Sequence, residues 1–245
     1  MLLDVKEICV RYGRMVALDG VSFAVPEGAF VAVIGANGAG KTTTLRAISG
    51  LLRITQGSIA FADQDISQLA PHSIARRGIA HVPEGRGLLA NISVRENLKI
   101  GAIGNADSTR VDAIYDRVFG YFPTLKERLD QPAGVLSGGE QQMLSIARAL
   151  LQSPKLLMVD EMSLGLAPKV VDELMNVLAD LTRQGVSVLC VEQNTRLVLK
   201  YAAYGYVLET GRTTIEGEGA KLLTDERIVQ AYLGGRRREE GPVAQ

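Results

Sequence analysis

The sequence is poor in residues on which several classes of protein depend. Its 245 residues include no Trp, and aromatic residues make up only 5%, so few rings are available to stack on nucleic-acid bases. Lys plus Arg number 27, as do Asp plus Glu, so the formal net charge is zero. Proteins that bind nucleic acids usually carry a basic excess. The composition therefore predicts no nucleic-acid partner.

Cysteine, histidine and long apolar runs are also scarce. Cys9 and Cys190 lie in separate strand-like runs, which predicts buried reduced thiols, and structural roles are expected for His72 and His81. So small and scattered a set argues against a zinc site of Cys and His ligands. The longest uncharged apolar stretch, 28–36, is about half of the roughly 20 residues that a membrane-spanning helix needs. Because the N-terminus also lacks a signal-peptide pattern, we expect a cytoplasmic chain that does not itself cross a membrane.

The sequence does contain a regular alternation of strand-like and helical segments. Strands are predicted over nine short apolar runs: 3–10, 21–25, 29–34, 59–61, 79–82, 156–159, 187–191, 204–209 and 212–216. Helices are predicted over 41–49 and 170–181, and 93–152 is mostly helical in pattern. Strands that alternate with helices predict a mainly parallel sheet, and the long helical stretch predicts a second lobe.

A glycine-rich loop between a buried strand and a helix is the strongest motif. Residues 35–42, GANGAGKT, fit the pattern G-x-x-x-x-G-K-[ST]. The glycines let the backbone turn tightly, so that N–H groups point at phosphate oxygens, and the following helix adds its positive end. Lys41 supplies a charge for the β- and γ-phosphates, and the Thr42 hydroxyl can hold Mg²⁺. The loop therefore predicts nucleotide-phosphate binding.

A second buried strand, 156–159, is followed by two acids, Asp160 and Glu161. Because α/β proteins bind ligands at the carboxyl ends of their strands, both acids are expected beside the glycine-rich loop. Asp160 would hold Mg²⁺ through water, and Glu161 would orient or deprotonate an attacking water. An apolar strand that ends in acids can equally be a core strand that meets solvent. Its combination with the loop favours the catalytic interpretation.

The segment Leu136 to Gln142, LSGGEQQ, opens an amphipathic helix. Its glycine N–H groups, the Ser137 hydroxyl and the helix dipole make a second anion site, which is useful if it serves a nucleotide held by another subunit. The alternative is an ordinary Ser-Gly helix start. The polar face of this helix is formed by Gln141, Gln142, Ser145 and Arg148.

Together, the order and spacing of these three motifs resemble the ATP-binding cassette (ABC) family over nearly the whole chain. The resemblance implies an α/β P-loop NTPase fold, a RecA-like and mainly parallel sheet core with an antiparallel β-subdomain and a helical subdomain. The core and β-subdomain would span about 1–87 and 153–235, the helical subdomain about 88–152, and a tail 236–245. Two cassettes would enclose two ATP molecules, each between the P-loop of one subunit and the signature of the other.

Three departures from the general family pattern indicate a particular subgroup, and a fourth position departs from that subgroup. Glu84 replaces the usual glutamine of the Q-loop, Gln193 replaces the switch histidine, and Ala167 replaces the Asp after Ser-Leu-Gly-Leu. These choices resemble the LivF-type ATPases of branched-chain amino acid importers. Met162, which stands where that group has Pro, removes a ring that would restrict the turn after Glu161.

The resemblance also implies ATP and Mg²⁺ as ligands and assigns roles to residues. Those expected to bind ATP within the subunit are Tyr12, Gly35, Asn37, Gly38, Ala39, Gly40, Lys41, Thr42, Thr43 and Gln193. Those expected to contact the ATP of the other subunit are Ser137, Gly138, Gly139 and Glu140. Those expected to hold Mg²⁺ are Thr42, Glu84 and Asp160, with Glu161 as the catalytic residue. Tyr12 would stack on adenine, and a half-buried strand tyrosine is its alternative interpretation.

The implied function is that of an ATP-hydrolysing motor subunit of a branched-chain amino acid importer, held at the cytoplasmic face of the membrane by its permeases. Separate permease subunits, a second identical or related cassette and a periplasmic or extracellular substrate-binding protein would be its partners. Urea, short amides or other amino acids are alternative cargoes. Other interpretations are a non-transport cassette ATPase that works on ribosomes or DNA, and a nucleotide-gated regulatory module without turnover. The single cassette argues against the first and Glu161 against the second.

Overall fold

The computed structural model describes residues 1–103 and 111–232, in which strands and helices alternate. The strands are β1 (Leu3–Tyr12), β2 (Met15–Val25), β3 (Phe30–Ile34), β4 (Gln56–Phe61), β5 (Gln64–Asp65), β6 (Ile79–Val82), β7 (Leu156–Asp160), β8 (Ser187–Glu192), β9 (Tyr204–Glu209) and β10 (Arg212–Glu218). The helices are α1 (Lys41–Ile48), α2 (Pro71–Arg76), α3 (Val94–Ile103), α4 (Val111–Tyr121), α5 (Pro123–Glu127), α6 (Gly138–Leu150), α7 (Pro168–Arg183), α8 (Thr195–Leu199), α9 (Gly219–Leu222) and α10 (Glu226–Tyr232). The predicted tail at 236–245 lies outside the described residues.

The strands form two sheets of different character. A six-stranded sheet has the order β10-β9-β3-β8-β7-β6 and is parallel except for β10, which pairs antiparallel with β9 at one edge. A four-stranded antiparallel sheet has the order β2-β1-β4-β5. The predicted α/β fold, with a mainly parallel core sheet, an antiparallel β-sheet and a helical part, is confirmed. Among the helices of the described ranges, none is long and apolar enough to span a bilayer.

The six-stranded sheet separates two hydrophobic cores. Side chains alternate along its strands, so that Phe30, Ala32 and Ile34 of β3 enter one core while Val31 and Val33 enter the other. Helices α3 to α7 cover the first face, and α1, α2 and the antiparallel sheet cover the second. Because both faces are covered, every residue of β3, β7 and β8 is buried, which is why these strands are apolar in sequence except for Asp160, Ser187 and Glu192 at their ends.

Within the described residues, each predicted strand and helix is present, with changes at the ends. The largest change is in β2, which begins at Met15 rather than at residue 21 and pairs with β1 as far as Tyr12. This hairpin extends to the edge of the P-loop cleft described below. No sequence pattern predicts β5, which has two residues, or the short helix α2.

One of the two predicted buried thiols is misplaced. Cys190 is fully buried in β8, as predicted, but Cys9 is only partly buried. The alternation of β1 explains the error, because Ile8 and Val10 on either side of Cys9 point into the core. β-Branched residues on both sides of a position therefore do not show whether the residue between them faces the core.

The polar face of α6 does not lie open to solvent, as it does on a surface amphipathic helix. Gln142 and Ser145 are 4% and 2% exposed. The chain around Arg86 and Gly87 is bonded to this face, where Ser145 Oγ donates a hydrogen bond to the Arg86 carbonyl at 2.6 Å and Arg148 donates to the Gly87 carbonyl at 2.7 Å. The segment that carries Glu84 is thereby attached to the helix that starts with the signature.

His81 on β6 is a partly buried, neutral histidine. Its Nδ1 lies 3.0 Å from Ser49 Oγ, and because that hydroxyl donates to the Leu45 carbonyl, Nδ1 carries the bridging proton. Its Nε2 is buried without a partner among the described residues. Burial, with a smaller effect from the nearby positive charge of Arg46, lowers the pKa of His81 to about 4. Protonation would therefore place a charge and an unsatisfied N–H in the interior.

We expect His81→Leu to reduce the loss of stability on acidification. The unfolded chain takes up this proton near pH 6.5 and the folded chain only near pH 4, so wild-type stability falls as the pH drops between these values. Between pH 7.5 and 5 this one group should cost the wild type about 2 kcal/mol of unfolding free energy. Urea unfolding of both proteins at the two pH values measures the difference, and parallel losses would contradict the assignment.

Candidate functional site

The loop between β3 and α1 turns through glycines that no other residue could replace. Gly40 has φ +107°, and a Cβ there would lie 2.6 Å from a Leu18 methyl carbon. At Gly35 a Cβ would lie 2.3 Å from the Leu208 carbonyl oxygen. The sequence pattern thus reflects left-handed backbone at one position and close approach to β9 at the other. The loop is held at the carboxyl edge of the parallel sheet, at the N-terminus of α1.

Lys41, the first residue of α1, reaches back into this loop. Its side chain is 3% exposed, and Nζ donates to the carbonyl oxygens of Gly35 at 2.9 Å and Ala36 at 3.1 Å. The same ammonium lies 3.0 Å from Glu161 Oε1. A cation with three oxygen neighbours is therefore concentrated at the centre of the loop. Lys41, which is predicted to bind phosphate, and Glu161, the predicted catalytic acid, therefore form an ion pair.

Asp160 at the end of β7 faces Thr42. Thr42 Oγ1 donates a hydrogen bond to Asp160 Oδ1 at 3.2 Å, while Oδ2 is buried with no partner among the described residues. Burial raises the pKa of Asp160 to about 6; the Thr42 hydrogen bond opposes this, and the charges of Glu161 and Glu84 add to it. The fold therefore leaves Asp160 Oδ2 without a hydrogen-bond donor among the described residues, while Oδ1 of the same carboxylate accepts from the Thr42 hydroxyl.

These oxygens fit Mg²⁺. A buried, unpartnered carboxylate oxygen beside a hydroxyl is a suitable ligand set for a hard divalent cation. Within residues 1–103 and 111–232, no group of three or more His, Cys, Asp or Glu residues could hold a metal. Mg²⁺ usually binds one or two carboxylates and takes its other ligands from water and substrate phosphates.

One open cavity, of about 510 Å³, is lined by predicted site residues from five separate segments of the chain. They are Tyr12, Asn37, Gly38, Gly40, Lys41, Thr42, Thr43, Glu84, Glu161 and Gln193. Gly35 contributes its carbonyl oxygen to Lys41 rather than a cavity wall. Ala39 is 5% exposed and packs in the second core, so its side chain is not part of that wall.

The mouth of this cavity includes residues that sequence patterns do not identify. Met15 and Val16 of β2 line it beside Tyr12, and the three side chains are 63%, 44% and 40% exposed. At 40% exposed, Tyr12 matches the half-buried strand tyrosine of its alternative interpretation as well as a residue that stacks on adenine, so its role stays a prediction. The signal in the sequence is weak, since Met-Val-Ala after a glycine turn resembles any strand start. The exposed apolar surface supplies a flat platform for a planar group.

The signature residues lie elsewhere, at the start of α6. Ser137 and Glu140 form a reciprocal cap, in which Ser137 N–H donates to Glu140 Oε2 at 2.8 Å and Glu140 N–H to Ser137 Oγ at 3.3 Å. Arg128 Nε lies 3.0 Å from Glu140 Oε1. Gly138 and Gly139 form the first turn. None of the four residues lines the cavity around Lys41.

The turn after β7 places Glu161 in a conformation that non-glycine residues seldom adopt. Its φ is 45°, and its N–H donates to the Val191 carbonyl at 2.9 Å. Met162, which follows, is 2% exposed and packs in the first core. Core packing and hydrogen bonds therefore fix this turn without a proline ring.

A glycine-rich loop wrapped around a buried lysine, at the carboxyl edge of a mainly parallel sheet, defines a P-loop nucleotide-binding protein. Residues 18–163 match the sequence model of the ABC transporter family. The chain is 44% identical over 96% of its length to the whole of BraG, a high-affinity branched-chain amino acid transport ATP-binding protein of Pseudomonas aeruginosa. It is 34% identical over 96% of its length to 99% of the probable branched-chain amino acid transport ATP-binding protein LivF of Archaeoglobus fulgidus.

A solved structure agrees with these relatives. The crystal structure of the ADP conformation of an ATP-binding cassette from an ABC transporter superposes with a TM-score of 0.80 at 31% identity, covering 96% of this chain and 99% of that one. This chain therefore belongs to the ABC transporter family, as one of its ATP-binding, ATP-hydrolysing cassettes. The resemblance predicted from the three motifs is confirmed.

Proposed function

We propose that the chain is the ATP-hydrolysing motor subunit of an importer for branched-chain amino acids. The observation that carries the proposal is its similarity to BraG, which extends over the full length of that protein. The cleft supports it, because the loop, Glu84, Glu161 and Gln193 line a single cavity. A shared fold alone would not specify a cargo.

In the cleft, the loop N–H groups and Lys41 bind the β- and γ-phosphates of ATP. The Lys41 ammonium is paired with Glu161 in the structure. A phosphate that takes over this ammonium frees the Glu161 carboxylate. Glu161 then accepts a proton from the water whose oxygen attacks the γ-phosphorus, and ADP departs as the leaving group. Binding of substrate thereby prepares the base.

Two further residues complete the proposed contacts. Gln193 donates a hydrogen bond to the γ-phosphate and, because an amide does not become cationic, gives turnover no histidine-like titration. Tyr12 stacks on the adenine. Mg²⁺, held by Thr42, Glu84 and Asp160, neutralises charge on the phosphates when it is bound.

The position of the signature supports a two-subunit arrangement. Ser137 to Glu140 lie outside the chain's own cleft and complete the cleft of a second cassette, identical or related in sequence. We propose one cassette per chain, with core and β-subdomain at about 1–87 and 153–235 and a helical subdomain at about 88–152. Separate permease subunits hold the pair at the cytoplasmic face of the membrane, and a substrate-binding protein delivers the cargo on the other side.

Reconstitution tests the proposed function. The chain would be purified with its permeases, placed in proteoliposomes and supplied with the binding protein, and radiolabelled leucine uptake would be measured with and without ATP. We expect uptake that requires ATP and is competed by isoleucine and valine. Uptake of urea or short amides instead, together with such a ligand on the purified binding protein, would replace the cargo while leaving the motor role intact.

A further inference from the structure

Glu192, the last residue of β8, has a buried carboxylate that the proposed reaction does not use. It is 1% exposed. Ser163 N–H donates to its Oε1 at 3.0 Å, and Ser163 Oγ donates to its Oε2 at 2.8 Å. Burial raises the pKa of Glu192, the Ser163 hydrogen bonds oppose the rise and the charge of Glu161 adds to it. A carboxylate kept in such surroundings is costly unless its contacts are specific.

The two residues that it joins belong to the two loops that carry the reaction. Ser163 is two residues after Glu161, and Glu192 is directly before Gln193. Strands β7 and β8 are parallel neighbours, so their carboxyl ends leave the sheet side by side. Glu161, Ser163, Glu192 and Gln193 also line a common second cavity of about 350 Å³ beside the cleft.

The three-residue turn Glu161-Met162-Ser163 is attached to β8 at both ends. At its start, Glu161 N–H donates to the Val191 carbonyl. At its end, Ser163 is bound twice by Glu192. Between these points Glu161 has φ 45°, a conformation that the surroundings must enforce, because it is unfavourable for a non-glycine residue. Releasing the second attachment would let the turn relax toward ordinary backbone angles.

We propose that Glu192 is a positioning residue, which holds the Glu161 carboxylate and the Gln193 amide in register by anchoring Ser163. The proposal rests on the function proposed above, in which Glu161 acts on the attacking water. Glu192 acts by geometry and not by its charge. An uncharged side chain of the same shape that keeps two hydrogen bonds to Ser163 therefore suffices.

The decisive pair of variants is Glu192→Ala and Glu192→Gln. Alanine removes both bonds to Ser163. Glutamine fits the same space, because its amide oxygen accepts from Ser163 N–H and its amide nitrogen donates to Ser163 Oγ. We expect Glu192→Ala to lower kcat by about 10- to 100-fold, the size of effect that a misplacement of about 1 Å produces, with little change in ATP affinity. Glu192→Gln should retain most of the wild-type kcat.

The assay is steady-state ATP hydrolysis by the full chain with its permeases, alongside binding of a fluorescent ATP analogue. Ser163→Ala tests the same contact from its other partner, because it removes only the hydroxyl that donates to Glu192 Oε2. It should also lower kcat and add nothing further to Glu192→Ala, because in that variant the Ser163 hydroxyl has already lost its partner. The exposed acid Glu173, replaced by Ala, is the control and should leave kcat unchanged.

Each result decides the proposal. Wild-type kcat in Glu192→Ala, equal impairment of Glu192→Gln and Glu192→Ala, or a parallel loss of kcat and ATP affinity would overturn it, the last because it indicates general structural damage. If Glu192→Ala does not fold, unchanged kcat in Ser163→Ala or a lost kcat in Glu192→Gln overturns it. If wild type and Glu161→Gln turn over equally slowly, the proposed function fails instead, which keeps the two failures distinct.

Discussion

Glu161→Gln is expected to lower ATP turnover by about 10²- to 10⁴-fold while leaving nucleotide binding intact. The amide has nearly the same shape as the carboxylate, and its oxygen can still accept from Lys41, which in wild type lies 3.0 Å from Oε1. It cannot accept the proton of the attacking water. The variant therefore removes one chemical capacity and keeps the packing of the turn, whose N–H bond to Val191 is a backbone contact.

The measurements are phosphate release by the complex and size-exclusion chromatography of the cassette at saturating ATP and Mg²⁺. Because ATP persists in Glu161→Gln, we expect an ATP-bound dimer to accumulate that wild type only passes through. Glu173→Gln, at an exposed position of α7, is the matched control and should behave as wild type. Equal hydrolysis by wild type and Glu161→Gln would exclude the motor role, and a variant that stays monomeric would count against the two-subunit site.

The parts of the fold and site that could be predicted are those in which a few adjacent residues carry the constraint. Strands β3, β7 and β8 are buried on both faces, so their sequences are apolar except at the ends of β7 and β8 and can be recognised without knowledge of their neighbours. The glycine pattern of the loop is also recognisable locally: Gly40 needs left-handed backbone at φ +107°, whereas Gly35 is required by the close approach of β9. Motif spacing then places Lys41 and Asp160 at one sheet edge.

What could not be predicted depends on contacts between distant segments. Gln142 and Ser145 are polar residues on an apparently exposed helix face, yet both are buried, and Ser145 is bonded to the distant Arg86 carbonyl. In the sequence, Glu192 is one acid after an apolar strand, and its bonds to Ser163 exist because β7 and β8 are neighbours. The exposure of Met15 likewise follows from where the hairpin ends. In each case the residue type is ordinary, and its role follows from contacts with a segment that is distant in the sequence.

Lys41→Ala is expected to weaken ATP binding by about 10- to 100-fold, the loss that follows when a charged hydrogen-bonding partner of the phosphates is removed. The ammonium is almost fully enclosed by Gly35, Ala36 and Glu161, so no solvent ion substitutes for it. Binding is measured by isothermal titration with ATP and by the rise in unfolding temperature that ATP produces. Lys169→Ala, at an exposed site in α7, is the control.

The thermal measurement separates lost affinity from a damaged fold. At 100 times the wild-type Kd, ATP should stabilise wild type by about 2.7 kcal/mol, and a variant with 100-fold weaker binding by only about 0.4 kcal/mol. Without ATP, Lys41→Ala has its own baseline, because Glu161 and the buried Asp160 lose a nearby cation, so only the increment within each variant is compared. An undiminished increment would mean that Lys41 does not bind the phosphates, and the assignment of this loop as the phosphate site would fail. If Glu161→Gln still binds ATP and Lys41→Ala does not, the two partners of this ion pair have separate roles. Glu161 then serves the chemical step, and Lys41 serves ATP affinity.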